Sequence, residues 1–166
     1  MTGQAQAHPA AAHDRRMAKA KRAPSASAPA APLPWGPLRF LYCGVKDTST
    51  DAAFWVERGA RKVWHFRAFG AEIAALQVGP GPLLLLADHR PAGSVLPIYE
   101  VPDIDAVEGL LSASGWKPEG PAFEVPNGPV LLLKDASGLE VAILEDRRPG
   151  AMEGSYADAQ NGNAVH

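Results

Sequence analysis

An internal repeat constrains the fold of this chain more than any other feature of its sequence. Three residues recur 56 positions later in the same order, so that Val45, Asp47 and Gly59 match Val101, Asp103 and Gly115. In each copy the Asp can cap the N-terminus of a short helix, and the Gly stands where a left-handed residue ends one. A repeat of this length predicts two similar modules within one domain.

Both modules have the same predicted order of elements. A β-rich stretch precedes each helix, at 38–45 and 96–101. The second helix shows a single apolar stripe, formed by Ile104, Val107, Leu110 and Leu111. Three strand candidates separated by turn residues follow each helix, at 62–69, 72–78 and 83–87, and at 122–125, 130–134 and 139–145. The sequence therefore predicts an α+β fold of two β-α-β-β-β modules, at about 38–88 and 95–146.

Composition sets the expected limits of the domain. Residues 1–35 are rich in Ala, Pro and Ser and carry a net charge of +4, which leaves −6 on the rest of a chain whose total is −2. Such a segment has little apolar surface to offset the entropy of ordering. We expect a disordered basic tail at 1–35, a folded domain at 36–148 and a disordered tail at 149–166. The basic cluster from Arg15 to Arg22 is interpreted as part of a solubilising tail. The alternatives are a contact with an anionic surface and an organelle transit peptide.

Several classes of protein do not match this sequence. No apolar run approaches the roughly 20 residues that cross a bilayer, and no secretory signal is evident. The single cysteine, Cys43, cannot form an internal disulfide, and we expect it to be a small buried hydrophobe under the helices. Because the folded part is acidic, nucleic acid is not an expected partner. We expect a cytoplasmic protein with no nucleic-acid or membrane partner.

The paired modules resemble the vicinal oxygen chelate superfamily, which includes glyoxalase I, extradiol dioxygenases, and fosfomycin-resistance and bleomycin-binding proteins. The resemblance rests on Val45-Lys46-Asp47, on Val101-Pro102-Asp103 and on the closing segment 135–145, and it covers nearly all of 38–146. It implies a sheet curled into a cup, with the ligand on the concave face and the helices on the convex face. A shared fold does not by itself assign a function.

The resemblance also implies where a metal would bind. Metal-dependent members carry ligands at equivalent strand positions, which hold Phe40, Leu86, Leu96 and Ala142 in this chain. None of these side chains has a nitrogen, oxygen or thiolate donor, and a register shift of one residue does not supply a metal site. His65, His89 and Asp88 would make a site only if their strands converged, and the other histidines lie in the predicted tails. We therefore expect no metal and no other cofactor.

Strand alternation from these positions predicts the lining of the cup. The predicted ligand-binding residues are Phe40, Tyr42, Leu84, Leu86, Leu96, Ile98, Glu100, Glu140 and Ala142. Tyr42 offers a phenol or is a packed aromatic. Glu100 and Glu140 pair with a cationic ligand or act as general bases, unless they face solvent.

A largely apolar lining favours metal-independent binding of a small, partly apolar organic molecule. Sequestration of a drug or metabolite, of the bleomycin-resistance type, is the most concrete form of this hypothesis, and we predict a homodimer. Two alternatives stay open. One is a metal-dependent lyase, isomerase or dioxygenase with displaced ligands, and the other is a non-catalytic interaction or regulatory domain whose cup is filled by its own side chains.

Overall fold

The computed structural model describes residues 35–68 and 70–157. Along these residues the elements are β1 (Leu38–Gly44), α1 (Thr48–Glu57), β2 (Arg61–Ala68), β3 (Ala71–Gln77), β4 (Leu83–Ala87), β5 (Val95–Val101), α2 (Ile104–Ala113), β6 (Lys117–Pro118), β7 (Phe123–Val125), β8 (Gly128–Lys134), β9 (Glu140–Glu145) and α3 (Ala151–Ala157). None of the helices in this part of the chain is long and apolar enough to cross a membrane.

All the described strands belong to one mixed sheet. Their order is β2-β3-β4-β1-β5-β9-β8-β6, and β7 pairs with β8. In each module the first strand runs parallel to the last, β1 beside β4 and β5 beside β9, while β1 and β5 pair antiparallel at the centre. The two modules therefore meet through their first strands. This arrangement confirms the predicted α+β fold of two β-α-β-β-β modules, to which the structure adds the two-residue strand β6.

The repeated residues define where the two long helices begin and end. The Asp47 carboxylate accepts a hydrogen bond from the Thr50 amide at 2.6 Å, and Asp103 accepts one from the Ala106 amide at 3.0 Å. Gly59 and Gly115 follow the helices with φ of +95° and +94°, a conformation that glycine adopts without a steric penalty. The repeated Asp and Gly residues are therefore the residues at which the two helices begin and end.

Apolar side chains form clusters on both faces of the sheet. On the convex face α1 packs over a cluster that includes Leu76 and Leu86, and α2 packs over one that includes Leu131 and Ile143. Cys43 faces the α1 cluster as predicted, but it is half-buried at the edge of that cluster rather than fully buried, and partial burial raises the pKa of its thiol. The third cluster occupies the concave face, which is where a ligand site is expected.

Both expected domain limits need correction. The Trp35 ring packs against Tyr99 and Trp116, with ring centroids 5.0 and 5.4 Å away, so the packed domain includes Trp35 rather than starting after it. Residues 151–157, expected in a disordered tail, form α3, because Met152 is buried against the concave cluster. The remainder of the two predicted tails, 1–34 and 158–166, lies outside the described residues.

Candidate functional site

The concave face of the sheet holds a cavity of about 340 Å³. Strands of both modules and α3 form its walls. The lining residues are Phe40, Tyr42, Trp64, Ile73, Leu85, His89, Arg90, Leu96, Ile98, Phe123, Val125, Val130, Leu132, Ala142, Leu144, Met152 and Tyr156. Most of this wall is aliphatic or aromatic, which is typical of a small-molecule site.

Helix α3 closes one side of the cavity. The Tyr156 ring packs on Trp64 and Phe66 at centroid distances of 5.0 and 4.8 Å. The buried Asn127 side chain fixes the start of the helix, because its Oδ1 accepts the Met152 amide at 2.8 Å while its Nδ2 donates to Asp146 at 3.1 Å. Sequence reasoning missed this helix. The spacing of four residues between Met152 and Tyr156, which puts both on one helical face, was the available signal.

Five of the nine predicted lining residues lie in the cavity wall. They are Phe40, Tyr42, Leu96, Ile98 and Ala142. They belong to β1, β5 and β9, the neighbouring strands at the centre of the sheet. Strand alternation therefore predicted the correct face for these three strands, while the role of each residue in binding stays a prediction.

The predicted facing of Leu84 and Leu86 is wrong. Both pack on the convex face with the α1 cluster, and Leu85 lines the cavity between them. The reason is a shift in the repeat. Tyr42 pairs with Leu85 in the first module, and Ile98, 56 positions after Tyr42, pairs with Ala142 in the second. The structural counterpart of Ala142 is therefore Leu85, 57 positions earlier, and not Leu86, 56 positions earlier. A slip of one residue turns every side chain of a strand to the other face, which is why Leu84 and Leu86 were assigned to the cavity.

The predicted placement of Glu100 and Glu140 in the lining is also wrong. Glu100 lies near an end of β5, where its carboxylate is 3.9 Å from the Arg39 guanidinium. Glu140 begins β9 and pairs with Lys134 at 3.0 Å. Both carboxylates are more than a third exposed. Both side chains therefore lie outside the cavity wall, in contact with solvent and with basic side chains.

A polar corner formed by Tyr42, His89 and Arg90 interrupts the apolar wall. The Tyr42 hydroxyl is 2.7 Å from His89 Nε2, and the Arg90 guanidinium carbon is 5.3 Å from the Tyr42 ring centroid, within cation-π range. Burial raises the pKa of Tyr42 to about 12, although the positive charge of Arg90 acts in the opposite direction. The phenol therefore stays protonated at neutral pH, and its contact with His89 is one between a neutral hydroxyl and an imidazole nitrogen.

Gly44 positions the loop that carries this corner. Its amide donates to the Ser94 carbonyl at 2.9 Å, and its own carbonyl accepts the Gly93 amide at 2.9 Å. A Cβ at position 44 would overlap the Pro91 carbonyl oxygen. The loop from β4 to β5 therefore approaches β1 closely because residue 44 has no side chain.

The residues present do not fit a metal ion. At the positions where metal-dependent members carry ligands the cavity wall has Phe40, Leu96, Ala142 and, in place of Leu86, Leu85. Within 35–68 and 70–157 no three His, Cys, Asp or Glu side chains lie close enough to bind a metal together. The possible site of His65, His89 and Asp88 does not form, because His65 pairs with Glu72 at 2.6 Å on β2 and β3, away from the cavity lining.

The curled mixed sheet and its strand order give this chain a cup-shaped fold like that of the vicinal oxygen chelate proteins. Its sheet superimposes on methylmalonyl-CoA epimerase from Mycobacterium tuberculosis with a TM-score of 0.60 and 18% identity, over 71% of this chain and 93% of that one. The Streptomyces coelicolor methylmalonyl-CoA epimerase, in complex with 2-nitronate-propionyl-CoA, superimposes with a TM-score of 0.56 and 13% identity, over 69% of this chain and 99% of that one. A hypothetical protein from Bacillus halodurans C-125 superimposes with a TM-score of 0.58 and 15% identity, over 67% of this chain and 94% of that one. No family model and no curated protein matches the sequence.

Proposed function

We propose that the cup binds a small, partly apolar organic molecule without the help of a metal ion. The observation that supports this proposal is the cavity of about 340 Å³, whose wall is mostly apolar and carries one cluster of polar side chains. Apolar walls provide affinity, and a few polar groups provide orientation. Sequestration of a drug or metabolite is the specific role that we propose for this binding.

The alternative functions are less well supported by the geometry. A cup filled by its own side chains would leave no such cavity, although Met152 and Tyr156 do narrow it. An epimerase activity like that named for the structural neighbours requires a base that takes a proton from carbon. Among the described residues no carboxylate lines the cavity, and the one histidine of the wall is engaged with Tyr42. The homodimer, the cytoplasmic location and the absence of nucleic-acid or membrane partners stay predictions.

Metal addition gives a first test of this proposal. Zn²⁺, Fe²⁺, Mn²⁺ or Ni²⁺ should leave the melting temperature of the full-length chain unchanged, because the cavity wall at the mapped positions has no donor atoms. A metal ion that bound a specific site would instead stabilise the fold by about 2.7 kcal/mol at a concentration one hundred times its dissociation constant. Differential scanning calorimetry with and without EDTA measures the effect. Stoichiometric metal together with a melting temperature that EDTA lowers would contradict metal-independent binding.

A further inference from the structure

The charge of the cavity wall is opposite to the one expected from the sequence. Among the described residues the polar side chains of the wall are Tyr42, Trp64, His89, Arg90 and Tyr156. Arg90 is the permanently charged member of this set, and Glu100 and Glu140 lie outside the wall. The wall is therefore rich in hydrogen-bond donors and carries a positive charge, so that it does not suit a cationic ligand.

Two of these donors are buried without an acceptor within the described part of the chain. They are Nε of Arg90 and Nε1 of Trp64. Buried polar groups of folded proteins nearly always have a hydrogen-bond partner, so that an orphaned donor in a cavity wall indicates that a ligand supplies the acceptor. Arg90 and Trp64, both in the cavity wall, thus each have one unused hydrogen-bond donor.

Among the described residues the guanidinium of Arg90 has one long ion pair, with the Glu140 carboxylate at 3.9 Å. That carboxylate is held more closely by Lys134, at 3.0 Å, so that Arg90 is only weakly paired. Arg90 is nevertheless mostly buried, with 19% of its side chain exposed. A buried arginine favours planar oxyanions, because its parallel N–H groups match the two oxygens of a carboxylate.

We propose that the ligand of this cup is an organic carboxylate whose aromatic or branched body fills the apolar cavity and whose carboxylate binds Arg90. This inference rests on the proposed function and specifies the chemical class of its ligand. The carboxylate lies beside the Tyr42–His89 pair, whose hydroxyl and ring nitrogen are 2.7 Å apart. The cavity of about 340 Å³ is near the lower end of the range for drug-sized ligands, so that small aromatic acids are suitable probes.

A pair of isosteric probes tests the charge directly. Isothermal titration calorimetry on the full-length protein compares 2-naphthoate with 2-naphthamide, which has the same rings and no charge, and repeats the comparison with benzoate and benzamide. We expect at least one acid to bind at least tenfold more tightly than its amide. Arg90→Gln should remove that preference, and Arg90→Lys should keep part of it. Arg58→Gln is the matched control, since Arg58 lies exposed at the C-terminal end of α1, over Phe54, and does not line the cavity.

Three outcomes would overturn the inference. Equal binding of acid and amide by the unmodified protein would remove the charge preference while leaving small-molecule binding in place. Unchanged affinity for the acid in folded Arg90→Gln protein would place the anion elsewhere. No binding of either acid or amide at 1 mM would count against the ligand class and against an open apolar cup. The ratio of the affinities for acid and amide in the unmodified protein decides the question even if Arg90→Gln does not fold.

Discussion

Replacing Gly44 with alanine should lower the free energy of unfolding by roughly 3 kcal/mol, the upper part of the range for overpacked sites. The new Cβ would overlap the Pro91 carbonyl oxygen, and neither backbone can move without breaking the hydrogen bonds that Gly44 makes with Gly93 and Ser94. Because this loop carries His89 and Arg90, the substitution should also displace the polar corner. Urea unfolding measures the first effect, and binding of an acid probe measures the second.

Gly79→Ala is the control for this prediction. A Cβ at Gly79 meets no atom within 4 Å, so that the substitution should change the unfolding free energy little. If both substitutions changed the free energy of unfolding equally little, the stability of the fold would not depend on the close approach of the loop to β1.

Leu86→Ala should destabilise the fold by about 2–5 kcal/mol, the range for leucine truncation in a packed core. Leu86 is 3% exposed and packs under α1 with Leu76 and Ala52. The void would lie on the convex face, so that the affinity of the remaining folded protein for a ligand in the cup should not change. Chemical denaturation together with calorimetry separates the two effects.

Leu85→Ala provides the matched comparison from the next residue of the same strand. Leu85 is 5% exposed but borders the cavity, so that its truncation enlarges an existing space instead of opening a new one. We expect a smaller loss of stability than for Leu86→Ala and a clear change in ligand affinity. If Leu86→Ala changed the affinity and Leu85→Ala did not, then Leu86 rather than Leu85 would face the cavity, and this account of β4 would be contradicted.

The comparison of these two residues shows how far sequence reasoning extends. Helix caps and turns are local, and so Asp47, Asp103, the glycines that end the helices and the strand candidates between turn residues predicted two modules and their order. The register of β4 depends on the number of residues between the helix and the last strand, which differs by one between the modules. Three repeated residues cannot reveal such a difference. Because strand facing has a period of two, the whole strand was assigned to the wrong face.

Two members of the polar corner, His89 and Arg90, could not be placed in the cavity wall from the sequence, for a different physical reason. They lie in a loop between two strands, and the sequence does not show which part of the sheet that loop approaches. Their place in the cavity wall depends on the approach of that loop to Gly44, which is a tertiary contact. Met152 and Tyr156 have a helical spacing but follow a Gly-containing polar stretch. Their helix is stabilised by contacts with Asn127, in the turn between β7 and β8, and with Trp64 on β2. Composition describes neither type of contact.

Native mass spectrometry of the full-length protein, purified from its own cells, tests the central claim most directly. We expect each chain to carry one organic molecule of small mass that is released on denaturation, with no mass increment from a metal ion. The same spectrum reports the number of subunits and so tests the predicted homodimer. A one-to-one metal increment would contradict the claim, and so would a bare chain that takes up nothing from a metabolite extract of those cells.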